Sequence, residues 1–147
     1  MQRFVVGLDG SDGSARALLW ALDLADAVGN VEVRVVHVCE DAVTAYEKGF
    51  CTRSQADEWL AESRADAERM LHGLLGQAGR RVPASVRLES VPGRPAEVLI
   101  EQSADADLLV VGPRGLGRLR GLLGSVSQAC VAHAHCPVVV TRLPEAG

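Results

Sequence analysis

The chain has 147 residues, 48% of them apolar and 23% charged, with a formal net charge of −4. That balance is ordinary for a globular domain in water, and the length supports one substantial core, so residues 1–147 are expected to form a single domain. Net negative charge argues against a general binder of nucleic acid or anionic membrane, and no apolar run approaches membrane-spanning length.

Met1-Gln2-Arg3 leads at once into an apolar run, without the tripartite pattern of a leader, so a cytoplasmic chain is expected. The first strand, Phe4 to Leu8, ends in Asp9-Gly10-Ser11-Asp12-Gly13-Ser14, a cluster of turn formers and helix caps. Leu18, Leu22, Ala25 and Val28 then recur at helical spacing, with Gly29-Asn30 as the stop. Val31 to Val38 alternates as a strand, valines on one face and Glu32 and Arg34 on the other. Residues 39–53 show no period and are expected to form a long loop.

Leu60, Ala67, Leu71, Leu74 and Ala78 mark a long amphipathic helix from Ser54 to about Gly79. Ser85 to Val91 alternates as a half-exposed strand, and Pro92-Gly93-Arg94-Pro95 turns into a helix over 96–103. Asp107 to Gly112 is the most continuously apolar strand. A last helix is expected over 124–135 and a last strand over 137–141. The order β-α-β-α-β-α-β-α-β implies parallel pairing with right-handed crossovers, a doubly wound five-stranded sheet with helices on both faces. The first and fourth strands, with the fewest polar residues, belong at its centre. Ligands in such sheets sit beyond the strand carboxyl ends where the winding reverses, which brings Asp9 opposite the Gly112 loop.

That loop, Gly112-Pro113-Arg114-Gly115 through Gly124-Ser125, joins an apolar strand to a helix start. Glycines admit close approach of an anion, a helix start offers unpaired N–H groups, and Arg114, Arg118 and Arg120 add positive charge. The physical expectation is a phosphate pocket, with Arg114 the first choice of cation. It is not a Walker A loop, since no Lys-Ser/Thr follows, and no GxGxxG follows the first strand. Cys130, His133, His135 and Cys136 match no usual zinc spacing, so no metal site is expected; none of the four cysteines forms a CxxC pair. His37 reads as a core or half-buried histidine, and no Ser/His/Asp set assembles, so no catalytic residue is assigned.

These residues resemble the universal stress protein family in its ATP-binding branch. The family signature is a glycine, two residues, a glycine, nine residues, then glycine and serine or threonine. Gly112, Gly115 and Gly124-Ser125 occupy those places. The likeness runs along nearly the whole chain, through Val6 to Ser11, His37-Val38, Gly93-Arg94-Pro95-Ala96 and Cys136-Pro137-Val138-Val139-Val140. It implies a Rossmann-like nucleotide-binding α/β fold and a regulatory role in the stress response, with ATP or AMP as ligand and Mg²⁺ accompanying ATP. Leu8 and Asp9 resemble the residues at the adenine and ribose end, and Val38 the backbone contact to adenine. Gly112 and Gly115 resemble the turn over ribose and phosphates; Gly124, Ser125, Val126 and Ser127 resemble the phosphate-binding helix start. Alternatives of other classes are a slow ATPase or phosphotransfer enzyme and a nucleotide-free dimeric interaction module.

Two departures bear on the phosphate side. Leu116 to Leu123 is eight residues rather than nine. A residue lost from helix would rotate what precedes it by about 100°, whereas one lost from the loop would only tighten the cradle. Pro113 stands where the family often has a small polar residue, and removes an N–H donor. Finally, Val138, Val139 and Val140 are apolar on both faces of a strand expected at the sheet edge, which predicts a homodimer through it.

Overall fold

Runs of β-branched residues set up the sheet, and its strand order decides where the chain opens. A computed structural model describes residues 1–113 and 123–142. Five parallel strands, β1 (Gln2–Gly7), β2 (Val31–Cys39), β3 (Val86–Pro92), β4 (Leu108–Val111) and β5 (Val138–Val140), lie in the order β3-β2-β1-β4-β5. The chain winds outward from β1 to β3, then crosses back to the far side of β1 for β4 and β5. β1 is therefore central, β4 is flanked on both sides, and the winding reverses between them, as the apolar pattern predicts.

The helices cover both faces. Against one lie α1 (Asp12–Val28) and α3 (Arg53–Gln77), enclosing Phe4, Val6, Val33, Val35 and Val110 with Leu18, Leu22, Leu71 and Leu75. Against the other lie α4 (Pro95–Ser103) and α5 (Ser125–His133), enclosing Val5, Val36, Leu109 and Val111 with Val98, Leu99 and Cys130. Alternation along each strand splits the core in two, because consecutive side chains point to opposite faces. Helix ends follow their local signals. Ser11 caps α1 by accepting from the Ser14 N–H at 3.2 Å, and Gly29 and Asn30 end it at φ 78° and 55°. Thr52 and Gln55 form a capping box at the start of α3.

One expectation fails. Residues 39–53 are not a loop throughout, for α2 (Glu40–Glu47) occupies half of them. Its only buried residue is Ala42, so no apolar period existed to be read. Glu40 and Asp41 in its first turn complement the helix dipole instead.

The polar side of β2 also differs from the simple pattern. Glu32 is buried, its carboxylate 3.5 Å from Arg3 Nε and 3.8 Å from Arg34 Nη2. Arg34 in turn donates to Gln102 Oε1 of α4 at 2.8 Å and lies 3.5 Å from Glu89 and Asp105. Short α4 roofs the apolar residues near the strand carboxyl ends, and this ion network fills the face beneath its far end. Deleting the carboxylate of Glu32 leaves two cations partly stranded, whereas Asp105 is 59% exposed. Glu32→Ala is expected to cost about 3 kcal/mol and Asp105→Ala under about 1 kcal/mol, read from urea unfolding midpoints.

Candidate functional site

The switch point is built around a contact that only glycine allows. A Cβ on Gly112, at the end of β4, would lie 2.6 Å from the carbonyl carbon of Gly13 in the first turn of α1. Backbone therefore rests on backbone there, and the ends of β1 and β4 open side by side into one cleft. Asp9 begins the turn out of β1. Its Oδ1 accepts from the Ser11 N–H at 2.9 Å and from the Ser11 hydroxyl at 2.5 Å. Its own N–H donates to Ser14 Oγ at 3.2 Å. These bonds hold the Asp9 carboxylate at the cleft rim and leave Oδ2 without a hydrogen bond among the described residues.

The cleft is partly open to solvent, with a cavity volume of about 120 Å³. Its walls are mostly apolar. Val36 and Val38 of β2, Pro95 and Leu99 of α4, and Val126 of α5 form a slot, closed at its base by Gly7, whose missing Cβ would meet Leu99 Cδ1 at 3.1 Å. Polar groups cluster at the other side, on Asp9, Ser11, Ser14 and Ser127.

The start of α5 supplies donors. Its N-cap is Gly124, with no side-chain cap, and the N–H groups of Ser125, Val126 and Ser127 have no acceptor among the described residues. The Pro113 carbonyl accepts both the Gly124 N–H at 2.7 Å and the Ser127 hydroxyl at 2.8 Å, so the two feet of the loop are tied together. The helix begins at Ser125 and Leu123 is not helical, which keeps Gly124-Ser125 at the helix start despite the eight-residue spacing.

Of the residues singled out from the sequence, Leu8, Asp9, Val38, Gly112, Val126 and Ser127 line the cleft. Gly124 and Ser125 stand beside it at the helix start, while Arg114 and Gly115 lie outside the described residues, as do Arg118 and Arg120. Sequence reasoning missed Gly7, Ser11, Ser14, Val36, Pro95, Leu99 and Val111 as lining residues. Ser11 and Ser14 could have been found as hydroxyls of the turn that carries Asp9. Nothing in the sequence signals that Leu99 meets Gly7.

Behind β2, on the α3 side, His37 is half-buried with Ser63 Oγ at 3.2 Å and Ser90 Oγ at 3.5 Å from its Nδ1. Burial lowers its pKa, opposed in part by the carboxylates of Asp66 and Asp9. Cys130 lies in the core, its thiol pushed up to about 11 by burial and then by Cys136, which makes it a poor nucleophile near neutral pH.

The universal stress protein family profile matches residues 1–142. The universal stress protein Rv3134c of Mycobacterium tuberculosis is 34% identical over 142 residues, an alignment covering 92% of this chain and 47% of the relative. The chain spans about half the length of the curated relatives it matches. Among solved structures, a universal stress protein in complex with cAMP is 26% identical, with a TM-score of 0.61 and 96% of each chain covered. The universal stress protein UspA from Lactobacillus plantarum is 22% identical, with a TM-score of 0.73 over 96% of this chain and 97% of its own, and shares the fold.

The histidine cluster has a pH signature. Unfolded His37 titrates near 6.5 and the folded residue below that, so the unfolded chain binds the proton more readily between the two values. Stability from keeping His37 neutral is full above pH 6.5 or so and is lost as pH falls through that region. The drop in Tm between pH 7.5 and pH 5.5 is expected to be smaller in His37→Gln than in the wild type, as measured by thermal melts.

Proposed function

The chain belongs to the universal stress protein family, and on that premise we propose that it is a regulatory protein of the stress response whose cleft binds an adenine nucleotide. One observation carries this reading: an apolar slot converges at a single switch point with an Asp9 carboxylate oxygen and three helix-start N–H groups that have no partner among the described residues. That combination matches an adenylate from end to end. The base fits the slot between Val38, Leu99 and Val126, Asp9 Oδ2 accepts from the ribose hydroxyls, and phosphate sits on Ser125, Val126 and Ser127. Arg114 and Gly115 are carried into this site from the family pattern. The relative solved with cAMP supports the ligand class.

The loop feet refine the choice among adenylates. Pro113 has no N–H, and its carbonyl already takes the Gly124 N–H and the Ser127 hydroxyl. Among the described residues the donors that remain, the N–H groups of Ser125, Val126 and Ser127, suit one phosphate, which favours AMP or a cyclic monophosphate over ATP–Mg²⁺. Residues 1–147 act as one such unit, and two units pair through β5. That strand lies at the sheet edge with Val138, Val139 and Val140 half-exposed, an apolar edge that pairing would protect.

Titration calorimetry with AMP, cAMP and ATP–Mg²⁺ tests the ligand. Binding of AMP or cAMP is expected, weakened about tenfold or more in Asp9→Ala, which loses a charge-assisted bond; no binding of any adenine nucleotide at millimolar concentration would overturn the reading. Sedimentation tests the pairing. The Thr141 N–H and the Pro137 carbonyl bond to β4, so alternation points the Val140 N–H outward, and Val140→Pro is expected to give a folded monomer from a dimer.

A further inference from the structure

Aromatic residues are scarce in this chain, and their placement is uneven. Three of the five, Tyr46, Phe50 and Trp59, lie at the corner where α2 turns into α3, exposed to 52%, 80% and 40%. Trp59 comes four residues before half-buried Ser63, on the flank of α3 that borders its inward face, and Phe50 lies in the turn, its N–H donating to the Ala45 carbonyl at 2.8 Å. Large exposed aromatics gathered in one place are costly in water and commonly mark a contact surface.

Charge falls in the same place. Between residues 40 and 62 stand Glu40, Asp41, Glu47, Asp57, Glu58 and Glu62, all exposed, against only Lys48 and Arg53. Their balance of −4 equals the formal net charge of the whole chain, so the rest of the protein is formally neutral. Of these acids, Glu47 has a cation nearby, Arg94 at 3.8 Å, and that pair is largely exposed. α2 itself buries only Ala42, so its outward surface does little for the core.

We propose that the α2–α3 corner is a docking surface for an arginine- and lysine-rich segment of a partner protein. Carboxylates draw such a segment in and fix its register, while guanidinium groups stack on the faces of Trp59, Tyr46 and Phe50. A second copy of this chain fits poorly, because docking corner to corner would set six carboxylates against six. Acidic partners, nucleic acid and anionic membrane are repelled for the same reason. The proposal does not depend on what the cleft binds. The corner lies close to it all the same: Glu40 follows Val38 by two residues, and the Gly93 N–H donates to the Cys39 carbonyl at 3.3 Å beside Pro95.

The test uses the full chain carrying Trp20→Phe, so that Trp59 is its only indole. The probe is a fluorescein-labelled twelve-residue peptide of alternating arginine and alanine, with its glutamate–alanine counterpart as control, at 150 mM salt. The arginine peptide is expected to bind by anisotropy and to perturb Trp59 emission, and the glutamate peptide to do neither. In this background Phe50→Ala with Tyr46→Ala, which leaves net charge unchanged, should weaken binding about tenfold or more. Glu58→Gln with Glu62→Gln should weaken it several-fold. The exposed pair on α1, Asp23→Asn with Asp26→Asn, which lies beside Arg80 beyond the far end of α3, should leave it within about twofold, as a charge remote from the contact does. Three results would overturn the proposal. One is no binding of the arginine peptide. Another is equal loss from the two acid pairs with none from the aromatic variant, which marks diffuse attraction. The third is self-association in sedimentation that Phe50→Ala abolishes, which makes a second copy the occupant.

Discussion

Backbone of Gly112 rests on backbone of Gly13, and the cleft depends on that contact. With no side chain on either residue, the end of β4 drops against the first turn of α1. A single methyl group on Gly112 would force these elements apart, and neither is free to move. Gly13 is held by a capped helix whose Ala17, Leu18, Ala21 and Leu22 are buried, and Gly112 directly follows a strand paired on both sides. The spacing between the β1 turn and the β4 loop is thus set by packing in the core. Asp9, Ser127 and the α5 start inherit their positions from it.

The two sheet faces are finished in different ways. Long α1 and α3 cover theirs with aliphatic side chains, and Arg80 after α3 reaches Asp23 and Asp26 of α1 at 2.5 and 3.0 Å. Among the described residues the other face carries two helices of nine residues each. It is apolar toward the strand carboxyl ends, where the cleft opens, and ionic toward the amino ends, where Glu32 gathers Arg3 and Arg34. A buried ion network is weak as a source of stability but intolerant of losing one member. It also disfavours shifts of register, since Arg3, Glu32, Arg34 and Glu89 belong to three adjacent strands.

Much of this was legible in advance because its signals are local. The Gly29-Asn30 stop, Pro95 opening α4 and the alternating valines of β2 each act within a few residues, through φ preference or side-chain direction. Six of the ten residues expected at the site line the cleft, since they lie at strand ends and a helix start that the winding rule brings together. α2 escaped notice because one buried alanine carries no period. Leu99 and Pro95 escaped because a helix tells which of its residues turn inward, not which residue of a distant strand they will meet.

The sequence by itself determined the alternation of strands and helices, the central place of β1 and β4, and the glycine-lined switch point with Asp9 on its rim. These follow from residue types and short spacings, which govern backbone conformation and burial directly. Only the tertiary structure decided that Gly112 packs on Gly13 and Leu99 fills the space over Gly7. It also showed that Pro113 ties the loop feet together and that the acids of residues 40–62 share a corner with three exposed aromatics. Each of these is a meeting between elements, fixed by how whole faces pack, and no local preference of the chain encodes it.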